Sequence, residues 1–393
     1  MNNFEFYSPT AVYFGRDNTG KIGPAIRQFG GSKVLLHYGS DRVLKNGLMD
    51  KVVASLKAEG LEYVMLGGVV PNPRVALVRE GAELCRREKV DFIFAVGGGS
   101  VIDSAKGIAI AACNDFDVWD AYSGKVEIEK ALPNANILTL AAAGSETSKH
   151  TVLTNEEGWL KRGYGSSLLR PCFCVLDPEL LYTLPPYQTA SGIVDILMHT
   201  LDRYFTPGGY TETTDVIAEQ ILRIVMRYGK LCMENPKDYQ ARAEVLWAGS
   251  LSHNDLTGLG RIPDFAAHDL EHELSALYDV THGAGLAAVW GSWARYVYKA
   301  NVMRFARYAT NVLDIPLDFI NPENTALEGI RKTEEYFASI DMPINITDLV
   351  GKEVSDADIE LMAEKCSNGG RKTIGSFKKL GKADMLEIYK NSR

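Results

Sequence analysis

The 393-residue sequence contains no run of eighteen apolar residues, so nothing in it is read as crossing a membrane. It has no basic excess either. Lys and Arg total 42 against 50 Asp and Glu, a net charge of −8, the reverse of the usual nucleic-acid footprint. The start, Met1-Asn2-Asn3-Phe4-Glu5, lacks a basic patch followed by an apolar stretch, so no secretory signal is read. Cysteine is sparse: six scattered residues make no disulfide framework and point to a reducing, cytoplasmic compartment. Cys172-Phe173-Cys174 sits in an apolar run with one residue between its thiols, which reads as core rather than as a metal site. Repeats, low-complexity tracts and Gly/Ser-rich linkers are absent. Histidine is scarce too, with seven in all, yet three of them fall between positions 268 and 282.

What is present divides into two halves. The length exceeds one ordinary core and predicts two or three domains. Lys33–Tyr38, Glu62–Leu66 and Asp91–Val96 read as strands, and the segments 46–60 and 75–89 carry helical spacing. Strand and helix alternating at this pitch predict crossover units on a parallel sheet, which binds ligands at the carboxyl ends of its strands. Beyond Pro185-Pro186 strand-like alternation nearly disappears, and stretches such as 215–231 and 239–251 are helical. The boundary is therefore drawn there, giving an α/β domain over 1–185 and a helical domain over 186–393. The basic segment 371–393 is expected at the surface.

Two constellations carry chemistry. Gly97-Gly98-Gly99-Ser100 follows a strand and opens a helix. Free N–H groups and the positive end of a helix dipole at such a turn suit a pyrophosphate, although neither common phosphate fingerprint is matched. A tight turn without a ligand is the plain alternative. The second constellation is acid and imidazole. Asp195 and His199 are four apart and share a helix face, as do His268 and His272, and His282 opens another apolar helix. An Asp inside an apolar helix must be paired or coordinated. One carboxylate and three imidazoles suit Fe²⁺ or Zn²⁺, whereas an Asp–His pair at this spacing can also be a helix-surface hydrogen bond. His268 to His272 also reads H-x-x-E-H, a pattern of inverted zinc proteases, but a protease needs no phosphate cradle.

Together with Val69-Val70-Pro71-Asn72-Pro73, Leu176-Asp177-Pro178, His268-x-x-Glu271-His272 and His282-Gly283-x-Gly285, these segments closely resemble the iron-containing (group III) alcohol dehydrogenase family, in particular its butanol dehydrogenase branch. The likeness runs from Phe6 to about residue 350. It implies a Rossmann-like, dinucleotide-binding α/β domain with a parallel sheet, an all-α C-terminal domain, and a metal in the cleft between them. Carried over residue by residue, it implies metal ligands at Asp195, His199, His268 and His282, with Fe²⁺ favoured and Zn²⁺ as the alternative. It places His272 near the metal as a candidate for proton relay. Cofactor contacts are implied at Gly39, Ser40, Asn72, Gly97, Gly98, Gly99, Ser100, Thr139, Lys161 and Thr183.

The implied reaction moves a hydride between NAD(P)H and a short-chain aldehyde or alcohol of the butanol type, the metal activating the oxygen as a Lewis acid. Room at Gly39-Ser40 and the reach of Arg42 favour NADP(H), against the pull of Asp41. Family likeness also suggests a homodimer, with no nucleic-acid or membrane partner. Three departures stand out. Ala141-Ala142-Ala143 stands where a threonine usually precedes the segment Gly144-Ser145-Glu146, Lys149 and His150 fall where small or amide residues are usual, with His150 at a substrate-pocket position, and His253 replaces an apolar residue and is expected to pack. Asp103 is read as a helix-start residue stabilised by the dipole, and His37 as structural. The competing reading is a lyase of the dehydroquinate synthase type, which would need basic residues around the metal. Only Arg203 and Arg261 qualify near these motifs.

Overall fold

The computed structural model describes residues 1–208 and 211–393, which form two compact units, Tyr7–Leu184 and Pro185–Arg393 together with Met1–Phe6. The first six residues thus belong with the helices and not with the α/β domain: Asn2 N donates to Gly260 O at 2.8 Å.

The α/β unit is built on a six-stranded sheet in the order β1-β8-β5-β4-β2-β3, all strands parallel. The strands are β1 (Ala11–Phe14), β2 (Lys33–Tyr38), β3 (Glu62–Leu66), β4 (Phe92–Gly97), β5 (Asn134–Leu138) and β8 (Phe173–Leu176). Central strands are covered on both faces, so they read as continuous apolar runs: Val34, Leu35 and Leu36 are fully buried, and so is all of β8. Phe173 anchors one face, its ring 5.8–6.4 Å from those of Tyr13, Phe29, Phe92 and Phe94. Cys174 is buried in that core and Cys172 half-buried. Chain order reverses between β2 and β4, which makes their carboxyl ends the switch point of the sheet.

A two-stranded antiparallel hairpin, β6 (His150–Asn155) and β7 (Leu160–Gly165), stands apart from this sheet. Two anchors fix it to the helix Gly99–Cys113. Asp103 accepts from Ser145 Oγ at 2.6 Å and from Val152 N at 2.9 Å. Asp103 is thus a tether for the hairpin and the preceding loop, and its oxygens are spent there rather than on the helix dipole. Lys106, fully buried, donates to Ser145 O and Oγ, Ser148 O and His150 O at 2.8–2.9 Å.

In the other unit the helix Pro186–Tyr204 is buried all round from Thr189 to Tyr204, as expected of a core helix, and begins on a proline, which suits the first helical turn. The helices Glu212–Glu234, Tyr239–His253, Ala266–Tyr278 and His282–Val297 belong to the same unit. The C-terminal segment expected at the surface is instead half core: Leu380, Met385, Ile388 and Tyr389 are fully buried, and Tyr389 donates to Leu270 O at 2.7 Å. Lys382 and Lys390 lie on the outer side of the helix Lys382–Asn391, opposite its buried apolar side chains, and Lys372, Lys378 and Lys379 precede it, so charge alone misjudged the segment. Among the described residues no helix is long and apolar enough to cross a membrane.

Candidate metal centre and dinucleotide cradle

The core helix Pro186–Tyr204 presents Asp195, His199, Asp202 and Arg203, spaced i, i+4, i+7 and i+8, along one face. The helix Ala266–Tyr278 adds His268, Glu271 and His272, and the next helix begins at His282. Two glycines let these elements close up. A Cβ on Gly283 would lie 1.9 Å from Ser191 O, and one on Gly285 would lie 2.8 Å from Glu271 Oε1. Either methyl would wedge the first turn of His282 away from its neighbours.

Three imidazole nitrogens converge on one carboxylate oxygen. Asp195 Oδ1 lies 3.5 Å from His199 Nδ1, 3.8 Å from His268 Nε2 and 3.7 Å from His282 Nε2. Ligand atoms of Asp195, His268 and His282 are mutually within 4.8 Å, a set that His199 does not join. Asp195 Oδ1, His199 Nδ1 and His268 Nε2 are buried without a hydrogen-bond partner. Leaving such atoms orphaned costs free energy, and here they face one another. Ligands 2.0–2.2 Å from a tetrahedral ion sit roughly 3.4 Å apart, so a divalent cation fits this donor set with little adjustment.

Sequence reasoning passed over the acids behind these imidazoles. His268 Nδ1–H donates to Asp202 Oδ2 at 2.5 Å, and His282 Nδ1–H donates to Glu271 Oε2, both acids being fully buried. A carboxylate on the far nitrogen holds that nitrogen's proton and the ring's orientation, so that the near nitrogen is the one that faces inward and offers a lone pair once a cation displaces its proton. The signal was present in the spacing: Asp202 is i+7 from Asp195, and Glu271 is the acid of H-x-x-E-H.

Electrostatics follow the same geometry. Burial pushes the Asp195 carboxyl up, but His199, His282 and His268 outweigh it and hold the group well below the usual carboxylate range. Burial drives His199 far below an ordinary histidine. Burial also opposes charge on His268, yet Asp202 and then Asp195 carry it up to about 9. His272 is half-buried, its ring 5.8 Å from that of His282. His253 is buried as expected, but its ring centroid is only 4.0 Å from that of His199.

The cofactor positions expected from sequence lie in the α/β unit. Gly39 and Ser40 follow β2, Gly97 ends β4 with Gly98 to Ser100 just beyond it, and Thr139 follows β5, so all crowd the carboxyl edge at or beside the switch point. No side chain caps the helix Gly99–Cys113, which leaves its first N–H groups to a ligand or solvent. None of the three glycines here has a positive φ. Gly97 is required because a Cβ would meet Val101 Cγ2 at 2.4 Å, while Gly98 and Gly99 would press on Leu140 and Ala143 at 3.1 Å. Thr139 N donates to Gly97 O at 3.0 Å. Thr183 is exposed and accepts from Arg42 Nη2. Asn72 is buried at φ 54°, and Lys161 is buried in β7. His150 covers Gly165 across the hairpin, where a Cβ would lie 2.6 Å from its Nδ1. His37 is structural: Nδ1–H donates to Leu66 O and Nε2 accepts from Ser104 Oγ, each at 2.9 Å.

Against known proteins, a family model described as iron-containing alcohol dehydrogenase matches residues 9–178, and the C-terminal model of the Fe-containing alcohol dehydrogenase family matches residues 189–393. The chain is 41% identical to NADH-dependent butanol dehydrogenase A of Clostridium acetobutylicum, with 100% of both sequences covered. It is 32% identical to the NADPH-dependent aldehyde reductase YqhD of Escherichia coli, again over 100% of each. The crystal structure of an NADH-dependent butanol dehydrogenase A from Thermotoga maritima superposes with a TM-score of 0.94 at 38% identity, covering 99% of this chain and 98% of that one.

Proposed function

The chain belongs to the iron-containing alcohol dehydrogenase family, and on that footing we propose that it interconverts short-chain aldehydes and alcohols of the butanol type with NAD(P)(H), using a divalent cation held by Asp195, His199, His268 and His282. The observation that carries this reading is the set of buried, unpartnered ligand atoms around Asp195 Oδ1. Both family models are those of alcohol dehydrogenases, which weighs against the lyase.

When bound, the cation would supply Lewis-acid polarisation of a carbonyl or alcohol oxygen, and the nicotinamide would carry the hydride. Asp202 and Glu271 keep His268 and His282 in the tautomer that offers a lone pair. His272, half-buried beside His282, would hold the proton exchanged with the substrate oxygen. The uncapped helix start after Gly97 to Ser100 would hold the pyrophosphate, with Gly39, Ser40, Asn72, Thr139, Lys161 and Thr183 supporting the rest of the cofactor. His150 would border the substrate.

Fe²⁺ is favoured by the family description and Zn²⁺ by the same donor chemistry. The preference for NADP(H) rests on Arg42, exposed just after β2, although the names of the relatives divide between NADH and NADPH. The reading includes a homodimer, supported by family likeness, and a cytoplasmic setting, supported by six free cysteines. The test is oxidation of NADH and NADPH on adding butyraldehyde to protein loaded with Fe²⁺ or Zn²⁺, with Asp195→Ala as control. Metal content unchanged by Asp195→Ala overturns the ligand set, and a tenfold kcat/KM preference for NADH overturns the cofactor choice.

A further inference from the structure

The four imidazole and carboxylate groups are not supported alike. His268 has Asp202 behind it and His282 has Glu271. Among the described residues no second carboxylate stands behind His199, which is also the group outside the mutually close set. What stands there is another imidazole. His253, the last residue of its helix and buried, puts its ring centroid 4.0 Å from that of His199 at an interplanar angle of 45°. The His268 ring lies 4.7 Å from that of His199 at 23°.

Arg203 fixes His253 in that position. Its Nη2 donates to His253 Nδ1 at 3.0 Å, and its Nη1 donates to the backbone oxygen of His199 at 2.8 Å. The guanidinium also lies over the Phe265 ring, 4.9 Å from its centroid. A guanidinium has donors only and keeps its charge, so His253 Nδ1 must be the acceptor. That places the single ring proton on Nε2 and leaves the imidazole neutral.

We propose that Arg203 and His253 are a positioning pair for His199, which holds its ring toward the cation by packing where the other two imidazoles are held by carboxylates. The proposal rests on the metal reading above. A carboxylate on the far nitrogen raises the basicity of a ligating imidazole. A neutral ring bonded to arginine gives orientation without that gain. The centre therefore has two acid-backed imidazoles and one that is only packed, and its fourth contact depends on His253.

The test uses the full-length protein, with Co²⁺ alone as the probe. Competition against a chelator gives the affinity, and the visible d–d bands report the coordination. His253→Gln keeps an acceptor for Arg203 but removes the ring. Its Co²⁺ affinity is expected to fall about 10- to 100-fold with shifted bands, while metal-free melting and NADH titration stay at wild-type values. His253→Leu should show the same spectroscopic change and a lower melting temperature; should it not fold, His253→Gln decides. Wild-type affinity and bands in His253→Gln overturn the positioning role. Absence of Co²⁺ binding by the wild type is a different result, which sinks the metal reading and this proposal with it.

Discussion

Replacing Asp202 by Asn removes one charge from behind His268 and leaves the shape nearly unchanged. The bond at stake is 2.5 Å long between two buried groups, and Asp202 Oδ1 has no hydrogen-bond partner to take up the load. Hydrogen bonds to charged groups contribute about 1.5–3 kcal/mol, and neutral ones about 1 kcal/mol. Asn can still accept through its carbonyl oxygen, so the loss should be the charge assistance alone. That is about 0.5–2 kcal/mol, or roughly two- to thirtyfold in affinity for Zn²⁺. The other amide orientation sets N–H against N–H and would drive His268 to the tautomer whose Nε2–H points inward, which pushes the loss to the upper end. The assay is competition for Zn²⁺ against a chromophoric chelator at constant pH, with NADH affinity measured alongside. Affinity within twofold of wild type would refute the idea that Asp202 sets the donor state of His268. Parallel loss of NADH binding would show general damage instead.

Two further outcomes follow from groups in the α/β unit. Gly97→Ala forces a Cβ to within 2.4 Å of Val101, an overpacking cost of about 1–3 kcal/mol, and should lower both the melting temperature and NADH affinity; a variant that melts and binds like wild type would contradict the steric account. Burial lowers the pKa of His37 from 6.5 to about 4, so the unfolded chain takes up a proton in that window that the folded chain refuses. Its contribution to stability is therefore complete above pH 6.5 and lost as pH falls toward 4, by about 3 kcal/mol at 1.36 kcal/mol per pH unit. Urea midpoints at pH 7 and pH 5 should lie closer together in His37→Gln than in wild type, and equal losses in the two proteins would remove His37 as the cause.

The parts legible in the sequence are those with a local signature. Strands β2 and β4 are covered on both faces and so appear as unbroken apolar runs, and the i, i+4 spacing of Asp195 and His199 marks a shared helix face before any packing is known. The hairpin was not legible. Leu160–Gly165 carries two charges and two glycines, and its order comes from Asp103 and Lys106 some fifty residues away. The spacing of Asp202 and Glu271 sets them on the same helices as the histidines, but only tertiary contact turns them toward His268 and His282. The C-terminal segment was misjudged because its lysines are conspicuous, while the buried Leu380, Met385, Ile388 and Tyr389 are spaced between them.

The methyl group that Gly97 excludes would collide with Val101, a residue of the same chain four positions on. Selection for a well-packed crossover is therefore enough to keep that glycine, whether or not a nucleotide ever arrives. A descendant that had abandoned redox work would go on displaying the motif intact. Decay of function in such a lineage should show first at the orphaned donors around Asp195, which nothing but their guest rewards.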